Sequence, residues 1–158
     1  FNFINSGFNL RPTDIVASIG LSQLKKIKDL IRLRSENRDK IISAIEKSKN
    51  WKNQFTFVTP AKNITPSWFG LPIILNQKSR NKKKNYLKFL NKNGVETRPI
   101  ISGNFLNQPS IKLYGLNKNA KIYKNSQKIE ELGFFIGLHI KPLKEKNIEK
   151  LTKLLLKI

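Results

Sequence analysis

The sequence predicts an α+β domain: a small, mostly antiparallel sheet with helices packed on one side, preceded by a long helical segment. Three observations lead there. Apolar residues recur at helical spacing over the first third, short aromatic and β-branched runs follow between prolines and glycines, and an amphipathic stretch comes last. With 158 residues, 18.3 kDa and 39% hydrophobic content, the chain can bury one sizeable core and is not wholly disordered.

Thr13 and Asp14 follow Pro12 as helix-start residues, and Ile15, Val16, Ile19, Leu24, Ile27 and Ile31 then keep helical spacing. Helix is expected to about Ser48, as two helices or one long bent one. Gly20 could mark a bend, and the polar stretch Arg32 to Arg38 separates the first apolar set from Ile41, Ile42 and Ile45. Past Trp51, Phe55 to Val58 and Trp68 to Leu75 have strand composition, and Pro72, which lacks an N–H, suggests an edge or a bulge. Residues 80–93 form a basic helix that Asn93-Gly94 ends, and 95–101 read as the next strand, giving a strand, helix, strand unit. A helix at 119–132, a strand at 134–140 and a final helix with Ile148, Leu151, Leu155 and Ile158 on one face complete the pattern. The first helical segment is apolar on one side and is expected to meet an N-terminal domain or a second subunit.

Thirty-one Lys and Arg against ten Asp and Glu give a formal charge of +21, which on electrostatics alone points to a polyanion. Lys, Asn and Ile make up about two-fifths of the chain, the bias that AT-rich coding sequence produces, so much of the charge reads as drift. The densest basic segment, Lys78 to Phe89, admits a nucleic-acid module using lysines on phosphates and aromatics for stacking, or a solvated helix with Leu87, Phe89 and Leu90 inward. No nucleic-acid signature accompanies it, and neither nucleic acid nor membrane is expected as a partner. No apolar run approaches a membrane span and no secretory signal pattern is read, so the cytoplasm is the expected compartment. Without Cys and with a single His, thiolate sites and multi-histidine metal cages are not expected, and no metal ligand is assigned. The chain has no Met and opens in mid-pattern at Phe1-Asn2-Phe3-Ile4, which suggests a piece of a longer protein.

Arginine is scarce, so its positions are informative: drift replaces Arg by Lys wherever a plain positive charge suffices. Arg11 and Arg98 each sit beside a proline, away from lysine-rich helix faces. Arg98 follows Glu96 by two, which on a strand puts both side chains on one face. The pair could offer a guanidinium to phosphate and a carboxylate to hydroxyls, as a phosphorylated sugar requires, or could form an internal salt bridge. Gly7 to Pro12 is a turn carrying an amide and a guanidinium ahead of a helix. Gly103 to Pro109 is a second polar turn just after the Arg98 strand, a common place for ligand contacts, with Asn104 the candidate there. His139 could be a general acid or base but, alone on an apolar strand, reads as structural.

The string Gly7-Phe8-Asn9-Leu10-Arg11-Pro12-Thr13-Asp14-Ile15-Val16-Ala17-Ser18-Ile19-Gly20-Leu21-Ser22-Gln23-Leu24 resembles a segment of the DegT/StrS-type pyridoxal-phosphate-dependent sugar aminotransferases and dehydratases. Ser67-Trp68-Phe69-Gly70, Val95-Glu96-Thr97-Arg98-Pro99 and Gly133-Phe134-Phe135-Ile136-Gly137 agree in order and spacing. Gly103-Asn104-Phe105-Leu106 resembles the branch that removes the C3 hydroxyl of nucleotide-linked 4-keto-6-deoxy sugars, in place of the Pro-Leu-His type segment of the aminotransferases.

The resemblance implies that the chain is the C-terminal part of a fold-type-I enzyme. Residues 1–50 would be an interdomain and interface helical segment, 51–158 a C-terminal α+β domain, and the cofactor-binding N-terminal domain would lie outside the chain. It implies pyridoxal or pyridoxamine 5′-phosphate as cofactor, a nucleotide-linked 4-keto-6-deoxy sugar as substrate, and a homodimer with the active site at the interface. The setting would be deoxysugar and surface-polysaccharide biosynthesis. An iron–sulfur cluster, held in one group of these dehydratases by cysteines before this region, stays open. Asn9 would reach the cofactor phosphate of the neighbouring subunit, Arg11 would face the nucleotide-sugar site, and Glu96 and Arg98 would bind substrate. The residue working on the cofactor, Lys in aminotransferases and His in 3-dehydratases, belongs to the part upstream. No catalytic residue is assigned here, and the piece alone would be inactive.

Overall fold

The computed structural model describes residues 2–5, 7, 13–116 and 119–158. Four strands, β1 (Phe55–Phe57), β2 (Gly70–Leu75), β3 (Thr97–Arg98) and β4 (Gly133–Gly137), form one antiparallel sheet in the order β1-β2-β4-β3. Six α-helices accompany it among the described residues: α1 (Asp14–Leu24), α2 (Ile27–Glu46), α3 (Lys83–Lys92), α4 (Pro109–Leu113), α5 (Lys124–Leu132) and α6 (Glu145–Leu155). Both β2 and β3 run antiparallel to β4, so they point the same way with β4 between them. The strand, helix, strand unit expected over 68–101 is therefore present but split by a strand from later in the chain.

Alternation along the strands sorts the two faces. Phe55, Leu71, Ile73, Leu75, Phe134 and Ile136 form one fully buried row, covered by Ile41 and Ile45 of α2, Tyr86 and Leu90 of α3, and Leu154 and Leu155 of α6. Burial of such side chains stabilises by roughly 1.5–3 kcal/mol each. The opposite face carries Thr56, Pro72, Ile74, Phe135 and, through its pairing with Phe135, Arg98. Helices on one side of a small sheet is thus the observed arrangement, and α2 belongs to this core. Pro72 lies in an inner strand, yet one residue beyond the last β1 pair (Phe57 with Ile73), so on that side it is at an effective edge.

The helical first third is two helices, broken at Lys25 and Lys26 and not at Gly20, which sits inside α1 with open space around it. The polar stretch Arg32 to Arg38 does not interrupt α2: Arg32 bridges Asp29 and Glu36 at 3.2 and 2.9 Å along the helix surface. Asn37 there turns inward and is buried. Its Nδ2 donates to the carbonyls of His139 and Lys141, both at 2.8 Å, and its Oδ1 accepts from the Leu143 N–H at 3.0 Å. That side chain ties α2 to the segment leading into α6. By contrast α1 buries nothing among the described residues, leaving Ile15, Val16, Ile19, Leu21 and Leu24 exposed.

Other boundaries follow local chemistry. A 3₁₀ turn, Gln77–Lys82, precedes α3. At its far end Gly94 takes φ +82°, Gly94 N–H donates to Asn91 and Val95 N–H to Leu90, the paired bonds of a left-handed helix terminus that favours glycine. The strand expected over 95–101 shrinks to Thr97–Arg98, and the one over 134–140 ends at Gly137, because each runs out of a partner. In α6 the buried row is Ile148, Thr152, Leu154 and Leu155; Leu151 is half-buried and Ile158 lies past the helix.

Two outcomes follow for stability. Asn37→Ala strands two carbonyls and one N–H in a buried seam and should cost on the order of 3 kcal/mol in a denaturant titration. Tyr86 donates its hydroxyl to the Leu155 carbonyl at 2.7 Å, and burial pushes its phenol above its ordinary range. A raised folded pKa gives stability that is complete below the unfolded value, about 10, and is lost as pH rises beyond it. Tyr86→Phe should lose about 1 kcal/mol at neutral pH and show a shallower alkaline fall than the unaltered chain, measured by unfolding between pH 8 and 11.

Candidate functional site

Strand β3 is short, lies at the sheet edge, and is set by a side chain from the preceding helix. Asn91 near the end of α3 donates Nδ2 to Thr97 Oγ1 at 2.7 Å and accepts the Thr97 N–H on Oδ1 at 3.1 Å. With Thr97 paired to Ile136 and Arg98 to Phe135, Arg98 emerges on the face away from the helices. There Phe69 and Phe135 lie with ring centroids 5.8 Å apart. Arg98 donates Nε to Glu96 Oε1 at 2.8 Å, and its Nη2 approaches the same oxygen at 2.8 Å. Of the two readings of the pair, the internal salt bridge is present, and it stands in the open, with side chains 58% and 72% exposed. An exposed pair of this kind is worth about 0–1 kcal/mol, so either group can be redirected to a ligand at small cost.

Beyond Arg98 the chain enters a strained loop. Ile101 takes φ +45° and Gly103 φ +63°. For a β-branched residue the left-handed region costs roughly 1–3 kcal/mol and persists only where surroundings impose it. At Gly103 a Cβ would stand 2.5 Å from Glu130 Cβ, so only glycine fits. Glu130 Oε2 accepts the Asn104 N–H at 2.9 Å and Asn107 Nδ2 at 2.8 Å. Asn104 itself is 2% exposed; its Nδ2 donates to the Ala120 carbonyl and Gln127 Oε1 at 2.9 and 3.0 Å, and its Oδ1 accepts from the Leu106 N–H at 3.3 Å. Asn104 is a loop-building residue in this structure, its amide committed to neighbours. The sequence pattern does not single out Glu130, although it and Glu131 are the sole carboxylates between Arg98 and Lys144, a scarcity as informative as that of arginine.

The loop also holds the N-terminal arm. Phe3 N–H donates to Gln108 Oε1 and the Ser110 N–H to the Phe3 carbonyl, each at 2.9 Å, and Tyr114 hydroxyl donates to Asn5 Oδ1 at 2.7 Å. This arm leads in sequence to Asn9 and Arg11, which lie outside the described residues. His139 is exposed, past the end of β4, and its Nδ1 accepts the Lys141 N–H at 2.9 Å, a local turn contact. Lys83, half-buried and held below its ordinary range by that burial, donates Nζ to the Glu130 carbonyl at 3.0 Å. Among the described residues there is no cluster of His, Asp or Glu suited to a metal and no helix long and apolar enough to cross a membrane.

Every salt bridge among the described residues uses an arginine: Arg32, Arg38, Arg80 and Arg98 take the carboxylates, and no lysine does. Arg38 further donates to the Val58 carbonyl and lies 4.4 Å from the Trp68 ring centroid, fixing the start of the segment that runs into β2. The site therefore consists of an open guanidinium–carboxylate pair, an aromatic pair beside it, and a clamped loop.

Known proteins resemble the chain in sequence and fold. The chain is 30% identical over 156 residues to GDP-4-keto-6-deoxy-D-mannose 3-dehydratase of Yersinia pseudotuberculosis, covering 97% of this chain and 38% of that protein. The solved structure of the E. coli GDP-4-keto-6-deoxy-D-mannose-3-dehydratase with bound hydrated PLP matches with a TM-score of 0.76 at 28% identity, over 98% of this chain and 38% of the other. A structure of GDP-4-keto-6-deoxymannose-3-dehydratase with bound GDP-perosamine matches with a TM-score of 0.73 at 28% identity and the same coverage. The chain thus spans under two-fifths of the length of these relatives. A profile of one family covers residues 2–155, from the arm that docks on the loop to the end of α6, and the chain belongs to that family, the DegT/DnrJ/EryC1/StrS aminotransferases.

Proposed function

We propose that the protein containing this chain is a pyridoxal-phosphate-dependent enzyme that removes the C3 hydroxyl of a GDP-linked 4-keto-6-deoxy hexose, in deoxysugar and surface-polysaccharide synthesis in the cytoplasm. The observation that carries the assignment is the Arg98–Glu96 pair, standing open on the sheet face of a family member whose named relatives are such dehydratases. Arg98 turns its guanidinium to a phosphate oxygen of the nucleotide sugar, and Glu96, released from the pair, accepts from a hydroxyl. Asn9 serves the cofactor phosphate and Arg11 the nucleotide sugar across a dimer interface. Asn104 acts by building the loop beside Arg98. Pyridoxamine phosphate, when bound, supplies the amine and electron sink that such a deoxygenation uses. The chain's own share of the work is binding and orientation.

The exposed apolar residues of α1 support its assignment to an interface, either with an N-terminal domain or with a second subunit. Ile41 and Ile45, packed in the sheet's core, support counting α2 with the C-terminal domain, whose start then lies ahead of the expected residue 51.

In the cofactor-loaded protein, Arg98→Ala should weaken GDP-perosamine binding by about tenfold or more, measured calorimetrically, with cofactor absorbance unchanged. Unchanged affinity shows that Arg98 is only an ion-pair partner. A lysine bound to the cofactor, in place of a histidine beside it, would turn the assignment to a sugar aminotransferase.

A further inference from the structure

We infer that Glu130 is a positioning residue for Arg98, acting through the loop that continues from β3; the inference rests on the proposal that Arg98 contacts the nucleotide sugar. Strand β3 has only two ladder pairs to hold it, at Thr97 and Arg98. Upstream it is fixed by Asn91. Downstream, apolar packing is incomplete: Ile100 lies against Gly133, but a cavity of about 150 Å3 opens beside the loop, lined by Pro99, Ile100, Ser102, Gln108, Glu130 and Gly133 among others. The polar hold on this side is the pair of bonds to Glu130 Oε2, made beside the close seat of Gly103 on the Glu130 stem.

Ile101 makes the dependence specific. Its left-handed backbone lies between Arg98 and Gly103, and its side chain is 69% exposed, so no burial of its own keeps it there. The Gly103 N–H closes the turn onto the Ile100 carbonyl at 3.0 Å, and the clamp at Asn104 fixes the far end. With the clamp removed, Ile101 is free to relax to an extended backbone, and a change of that size in φ three residues after Arg98 displaces the guanidinium. Glu130 is in turn fixed: Lys83 Nζ bonds its carbonyl, and neighbouring Glu131 is held by Arg80 at 2.7 Å. The side chain touches neither the Arg98 guanidinium nor Glu96, so its influence on a ligand passes through the loop.

The test is a double-mutant cycle in the cofactor-loaded protein that carries this chain. Dissociation constants for GDP-perosamine are measured for the unaltered protein, Arg98→Ala, Glu130→Ala and the double variant, with thermal unfolding followed in parallel. Glu130→Ala should weaken binding on the order of tenfold alone and by less than about twofold on top of Arg98→Ala. A purely structural role would not depend on whether Arg98 is present. Should Glu130→Ala fail to fold, Asn107→Ala decides: its exposed amide supplies one of the two clamp bonds, and the expected loss is about threefold, again absent beside Arg98→Ala. If Arg98→Ala weakens binding while the clamp variants change nothing, or if their effect is undiminished in the double variant, the positioning role is overturned and the Arg98 assignment stands. If Arg98→Ala itself leaves affinity unchanged, both fall.

Discussion

The register of β4 is the constraint on which the rest of the molecule depends. Ile73 faces Phe134 and Leu71 faces Ile136 on the helix-covered side, and the same pairing turns Arg98, opposite Phe135, to the open side. Because side chains alternate strictly along a strand, a slip of one residue would send Arg98 under α3 and α6 and expose Phe134. Two glycines help to fix it. A Cβ at Gly70 would meet the Phe135 ring at 2.5 Å, and one at Gly133 would meet the Ile129 carbonyl at 2.4 Å. Binding groups on one face and packing groups on the other are thus settled by a single pairing, which neither β2 nor β3 could set between themselves.

Much of this was legible in the sequence, and the rest was hidden for identifiable reasons. Periodicity located every helix but the short α4, and the paired aromatics of Phe134 and Phe135 marked β4. Spacing alone put Glu96 and Arg98 on one face. What periodicity does not carry is order in space: nothing in residues 68–101 announces that β4 will separate the two strands. The polar stretch from Arg32 to Arg38 looked like an interruption because Asn37 is buried for its hydrogen bonds and not for its hydrophobicity. Asn104 suggested a ligand contact for a related reason, since an amide in a polar turn is the same letter whether it faces solvent or closes a buried network. Asn9 and Arg11 lie outside the described residues, so for them the family resemblance remains the whole argument.

The charge of the chain divides by residue type. Arginines hold ion pairs, a carbonyl and an aromatic ring, tasks for which a planar fork of donors is suited, while lysines bring net charge without specific partners among the described carboxylates. Scarcity was the useful clue for arginine, and it holds equally for the carboxylates: Glu130 and Glu131 organise the loop, α5 and the start of α3 between them.

The split sheet also governs how this chain can be made. Residues that pair across β2 and β4, such as Ile74 and Gly133, are far apart in sequence, so during synthesis β2 emerges with its β4 partner still unwritten. A nascent β1–β2 hairpin in that interval is an exposed edge of the sort that joins neighbouring chains. Between residues 47 and 95, the stretch that waits, there are eleven Lys and Arg and not one Asp or Glu. Like charge of that density opposes edge-to-edge association of two such hairpins.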